Sequence, residues 1–260
     1  MPELEFFDGN CQLGRYNYHH QGVPYLLPDL LVDMQERGIA RRLVYHALAK
    51  EYSPALGNEC LLQELAGQPA LLPCWGLGSH VTAEAPSPVE LVRHLCASGI
   101  RAVRFFRFSY YLPFSEWALG ELFSALEAHC LPLFLDYGRR WTEGVPYEPL
   151  NTEEVYQLCH AHPGLPVVFT EHRSRYNREL HHLLDACPNL YLQLSSYWNY
   201  RGIEGLCHRF GHNRLVFGTD WPYIDSSAAI GQLLYAEVSD VAKLAIASGN
   251  LAALLAGVRW

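Results

Sequence analysis

The sequence predicts an α/β protein built as a single (β/α)8 barrel across residues 1–260. Three observations carry that expectation. Eight short runs rich in β-branched and aromatic residues recur along the chain. Amphipathic stretches with helix punctuation separate them, which indicates parallel βαβ units. The runs return at intervals of roughly 25 to 40 residues, and eight such units fill about 250 residues, close to the 260 present.

The first run, LEFFD (4–8), starts as a buried strand and continues into Asp8, Asn10 and Gln12. At alternate strand positions these three side chains share one face. RLVYHA (42–47) and ALLPCWG (70–76) follow. SPVELVRHLCASG reads as a helix, with Ser87 as N-cap, Pro88 at the first helical position, Glu90 completing a capping box and Gly99 as the stop. IRAVRFF (100–106) and LPLFLDY (131–137) are the next strands. NTEEVYQLCHAHPG opens on Asn151 or Thr152 and places two glutamates in its first turn, where the helix dipole favours them. PVVFTEH (166–172), LYLQLS (190–195) and RLVFGTD (214–220) complete the eight. SDVAKLAIASGNLAALL carries Ala, Leu and Ile at helical spacing and forms a helix after the last strand. An open doubly wound sheet is the structural alternative. It calls for a glycine-rich phosphate turn, and neither GxGxxG nor GxxxxGK[ST] occurs.

Composition narrows the function classes. With 19 Lys+Arg against 27 Asp+Glu the formal charge is −8, and no basic run marks a nucleic-acid surface. The apolar stretches stop well short of the ~20 residues a membrane span needs. MPELEFFDG is acidic and becomes strand at once, so no secretory signal is read. The eight cysteines include no CxxC pair and are read as reduced thiols of a cytoplasmic protein. CHAH (159–162) and CHRFGH (207–212) fall late in predicted helices without a partner pair at zinc-site spacing. No linker or low-complexity segment divides the chain.

Barrels of this kind carry their active sites at the C-terminal strand ends. The residues there are Asp8, Asn10 and Gln12 after the first run, His46 after the second, and Arg104 and Arg107 at the fourth. Asp136 ends the fifth, Glu171 and His172 the sixth, Ser195 and Ser196 the seventh, Thr219 and Asp220 the eighth. Strand ends are generally polar because loops are solvated, yet this fold gathers the whole ring at one mouth. The loops that follow are aromatic and arginine-rich: RYNYHHQGVPY, RFSYYLPFSEW, GRRW, YWNY with Tyr197 and Trp198, and WPY with Trp221. Aromatic walls suit a flat ring or a sugar face, and arginines suit a carboxylate. The plain alternative is that these aromatics pack the loops or form an oligomer interface.

RLVFGTDWP, followed by AIASGNLAALL, resembles the end of the amidohydrolase-related family of TIM-barrel metal-dependent hydrolases and decarboxylases. GIRAVRFF, PNLYLQLSSYW and IEGLCHRFGHNRLVFGTD fit the same pattern, and the likeness spans nearly the whole chain. In that family the first strand ends in Asp-x-His-x-His, whose histidines bind a divalent metal. Further histidines end strands 5 and 6, and an Asp ends strand 8 as ligand and base. The resemblance sets Asp8 on the leading Asp, Asn10 and Gln12 on the histidine pair, Asp136 on the strand 5 histidine, His172 near the strand 6 histidine, and Asp220 on the final Asp.

Three functional readings follow. In the first, a hydrolase acts on an ester, lactone or amide of a small carboxylate-bearing cyclic, aromatic or sugar-acid substrate, a decarboxylase being a variant. Asp220 is its general base, His172 assists proton transfer, Arg104 clamps a carboxylate, and Asp136 completes the catalytic group. Asn10, Gln12, His46, Arg107, Tyr197, Trp198 and Trp221 line the substrate. In the second reading, one zinc or manganese ion sits on Asp136, His172 and Asp220, since amide oxygens are poor zinc ligands. The third is a barrel that binds without turnover. A small molecule is the expected partner, with a homodimer as the expected assembly.

Overall fold

The computed structural model describes residues 3–16, 22–136 and 151–260. Its strands are β1 (Phe6–Leu13), β2 (Ile39–His46), β3 (Leu71–Pro73), β4 (Trp75–Leu77), β5 (Val103–Phe105), β6 (Leu133–Asp136), β7 (Val167–Thr170), β8 (Leu190–Gln193) and β9 (Leu215–Val216). All pair in parallel in chain order, as β1-β2-β3 and β4 through β9. β3 and β4 are one barrel strand that changes partner. The Cys74 N–H donates to Val44 at 2.7 Å, and the next N–H, of Trp75, donates to Ala102 at 3.1 Å. The ring closes where Gly9 N donates to Phe217 O (2.9 Å), Asp220 N to Asn10 O (3.0 Å) and Gln12 N to Trp221 O (2.9 Å). The eight-stranded (β/α)8 barrel read from the sequence is the observed fold.

The predicted caps are formed. Ser87 and Glu90 make the capping box of helix Pro88–Ala97. The Asn151 side chain accepts from Glu153 N at the start of helix Thr152–Ala161. Strand alternation sorts the core into two sets. Phe6, Cys11, Leu13, Val44, Val103, Phe105, Leu133 and Leu135 pack outward against helices. Phe7, Leu43, Tyr45, Cys74, Ala102, Phe106, Phe134, Val168 and Val216 fill the barrel, whose N-terminal end is plugged by Leu251, Leu254 and Leu255. These three belong to the helical stretch read at the end of the sequence: Asp240–Leu244, a π-helical turn Ala245–Gly249, and Asn250–Ala256. The wider turn frees the Ile246 carbonyl, which accepts from Phe217 N at 3.1 Å. Asn250 Nδ2 donates to the His212 and Leu215 carbonyls, both at 2.7 Å. No helix of the described residues is long and apolar enough to cross a membrane.

One irregularity decides the geometry of the mouth. Between Asp8 and Cys11 the β1 register advances three residues while β2 advances two, from Arg42 to Val44. This is a β-bulge, and it breaks the alternation that put Asp8, Asn10 and Gln12 on one face. Asn10 turns into the mouth. Asp8 turns to the outer side with Arg42, which reaches Asp33 of helix Leu27–Arg37 and Ser226 of helix Ser226–Leu234.

A charged candidate active site at the barrel mouth

Arg104, in the middle of β5, points into the barrel and is 1% exposed. Its Nε and NH2 both donate to Asp136 Oδ1 at the end of β6. NH2 also reaches Thr170 Oγ1 (3.0 Å) and Glu171 Oε1 (3.4 Å), and NH1 donates to Asn10 Oδ1 at 2.7 Å. The guanidinium lies over the Tyr45 ring at 4.2 Å and faces Phe106 at 5.6 Å. Lys50, in the short helix Ala47–Glu51 after β2, donates to Asp136 Oδ2 (3.2 Å) and pairs with Glu171 Oε1 at 3.6 Å. Burial pushes the Asp136 carboxyl upward, but Arg104, Lys50 and the Thr170 hydroxyl overcome it and hold the group below the usual carboxylate range.

Arg104 fixes the Asn10 amide by its oxygen, so the amide nitrogen faces the other way. Asn10 Nδ2 lies 3.2 Å from Ser195 Oγ and 3.4 Å from Asp220 Oδ1. Asp220 follows β9 with a left-handed backbone (φ 62°), as does Glu171 (φ 57°) after β7. Non-glycine residues hold that conformation at a cost of order 1–3 kcal/mol, and here it turns each carboxylate at a strand end. Gln12 Nε2 donates to Tyr223 Oη at 2.8 Å. The Gln193 amide lies 2.7 Å from Ser195 Oγ.

Asn10, Gln12, Arg104, Asp136 and Asp220 therefore meet at the mouth, with Glu171 and Ser195. The other predicted residues make the following contacts. His46 alternates outward from Tyr45; it caps the next helix at Leu48 N (3.1 Å) and faces Glu64 at 3.5 Å. Trp221 joins the outer core, and Arg42 lies 5.7 Å over its ring. Arg107 is bound by Glu154 of the helix Thr152–Ala161. Tyr197 is buried and stacks on the His172 ring at 5.9 Å, while Trp198 is 46% exposed. The His172 Nε2 lies 2.9 Å from Asn177 Oδ1. Burial lowers its pKa to about 4 despite that contact, so the ring is neutral at pH 7. The positive φ at Glu171 gives Glu171, not His172, the place beside Arg104. Arg139, Arg140 and Trp141 of GRRW, and His19 and His20, lie outside the described residues.

Sequence reading missed Lys50 and Tyr45. Tyr45 follows from alternation once Leu43 is set inward. Lys50 carries no signal, being a lone lysine in a helical turn. Arg104, expected to clamp a substrate carboxylate, donates in this structure to Asp136, Thr170, Glu171 and Asn10.

The same geometry bears on the metal reading. Among the described residues no three His, Cys, Asp or Glu side chains are placed to hold a metal ion, so Asp136, His172 and Asp220 do not form a ligand set. Asp136 is held by two protein cations, and amides stand at the first-strand positions.

Comparison with known proteins completes the picture. The family profile for Amidohydrolase matches residues 69–256. The chain belongs to the amidohydrolase family. No curated protein matches it by sequence. Among solved structures, 5-carboxyvanillate decarboxylase from Sphingomonas paucimobilis aligns over 99% of this amidohydrolase-family chain and 100% of its own, with TM-score 0.75 and 12% identity. Dihydroxybenzoic acid decarboxylase from a Polaromonas species, with bound manganese and 2-nitroresorcinol, covers 98% and 97% with TM-score 0.71 and 14% identity. A probable 2-pyrone-4,6-dicarboxylic acid hydrolase from Acinetobacter baumannii, with citric acid bound, covers 97% and 100% with TM-score 0.67 and 14% identity. At these identities the likeness establishes the TIM-barrel fold.

Proposed function

We propose that this protein hydrolyses an ester or lactone of a small ring-bearing carboxylic acid in the cytoplasm, with Asp220 as general base. The observation that carries this reading is the Asn10–Asp220 contact. Arg104 fixes the amide so that its N–H points at the Asp220 carboxylate, which the seam hydrogen bond from Asp220 N to Asn10 O also anchors. Asp220 takes a proton from water, the water oxygen attacks the substrate carbonyl, and the protonated carboxyl returns the proton to the leaving oxygen. Gln12, which spends one amide hydrogen on Tyr223, offers its second to a substrate oxygen, while Asn10 holds Asp220 in place. The ring-bearing acids named for the solved neighbours support the substrate class.

The test is a panel of aromatic and pyrone carboxylate esters and lactones, assayed in chelator. Asp220→Asn should lower kcat at least a hundredfold, within the range of about 10²–10⁴ for general-base loss, while leaving substrate binding in place. Unchanged turnover in Asp220→Asn sinks the assignment. The decarboxylases among the neighbours favour a second reading, carbon–carbon cleavage at the same mouth. Release of CO2 from a benzoate substrate would select it.

A further inference from the structure

We propose that Arg104 and Lys50 together occupy the place of a divalent cation, so that this barrel carries its two positive charges as side chains. Arg104 joins residues of three strands: Asn10 within β1, Asp136 at the end of β6, and Thr170 with Glu171 at and just after the end of β7. Lys50 comes from behind β2 and bridges the two carboxylates that Arg104 also touches. Among the described residues, the two buried acids Asp136 and Glu171 thus face two buried cations. Burying one member without its partners would be strongly unfavourable.

A metal ion cannot simply be added to this arrangement. It would need the oxygens of Asp136 and Glu171 that already face Arg104 and Lys50. It would also sit within a few ångströms of two like charges in a site shielded from water. The aromatic walls point the same way. Tyr45 offers its ring face to the guanidinium at 4.2 Å, and Phe106 lies 5.6 Å from the guanidinium and 5.8 Å from the Lys50 ammonium. A planar, weakly hydrated cation suits such a face. Once Arg104 is removed, the remaining groups are the oxygens of Asp136, Glu171, Thr170 and Asn10, a donor set suited to Mn²⁺ or Mg²⁺.

The inference does not depend on the hydrolase reading, and its test uses no substrate. Metal content and thermal unfolding of the full chain are measured with EDTA, MnCl2 or ZnCl2. Wild type should hold Zn, Mn, Fe and Ni far below one per chain, with a Tm unmoved by chelator or added metal. Arg104→Gln should lower Tm and then regain it saturably with Mn²⁺, by about 5 °C at a hundredfold excess over Kd. If Arg104→Gln does not fold, Lys50→Gln is titrated in the same way, with a smaller rise expected. A stoichiometric divalent metal in wild type overturns the proposal, as does a metal-dependent Tm in wild type. So does a lack of response in the folded variants.

Discussion

Asp8→Ala tests how the mouth is held from behind. Asp8 is fully buried, and its Oδ1 accepts from both Asn10 N and Thr219 N at 2.9 Å, while Oδ2 takes the Thr219 hydroxyl at 2.5 Å. It thus ties the β1 bulge to the segment carrying Asp220. Truncation leaves two buried N–H groups without acceptors, at about 1–3 kcal/mol each. The hydroxyl can rotate, and Arg42 keeps Asp33 and Ser226, so neither adds much. A loss of about 4 kcal/mol is expected in guanidinium unfolding at pH 7. Asp8→Asn retains an acceptor and sheds a charge. Burial raises the Asp8 carboxyl above its ordinary value even against Arg42, Thr219 and Asn10. The folded protein therefore binds more protons here than the unfolded chain as pH rises from 3.8. Ionising Asp8 costs stability across that window, and the cost is complete above the folded pKa. Asp8→Asn should lose far less than Asp8→Ala, and its stability relative to wild type should improve as pH rises through the window. Equal losses for the two variants, or an Asp8→Ala loss under about 1 kcal/mol, would refute the reasoning.

Two further outcomes follow from the same structure. His172 has its pKa lowered from 6.5 to about 4, so the unfolded chain binds more protons between those values and stability falls as pH drops through them. The loss approaches about 3 kcal/mol below pH 4, and His172→Gln should flatten the unfolding free energy against pH over that range. Gly57 in helix Pro54–Glu64 lies against the chain beside Lys50, where an added Cβ would come 2.1 Å from Ala49 N. Gly57→Ala should therefore cost at least about 3 kcal/mol in chemical denaturation.

Most of the fold was legible because hydrophobic alternation and capping are local. Ser87, Glu90 and Asn151 act as read, and the eight runs become the barrel strands, with β3 and β4 sharing one. The first-strand face was not legible. A bulge between Asp8 and Cys11 depends on pairing with β2 and on the Thr219 segment more than two hundred residues away. The same limit explains Glu171 and His172, where one left-handed residue exchanges which side chain enters the mouth. Arg104 was found as a mouth residue, but its role depends on how many partners surround it. Asn10, Asp136 and Thr170 lie on other strands, and Glu171 just beyond one.

The π-helical turn at Ala245–Gly249 has a consequence for synthesis. β1 stays an open edge until Phe217 and Ile246 exist to close the seam. At about 5–20 residues per second, a ribosome takes roughly 10–50 s to reach that point. Until then the Phe6–Leu13 strand lacks its seam partner. The nascent chain therefore presents an apolar, unpaired edge of the kind that invites chaperone binding or mispairing.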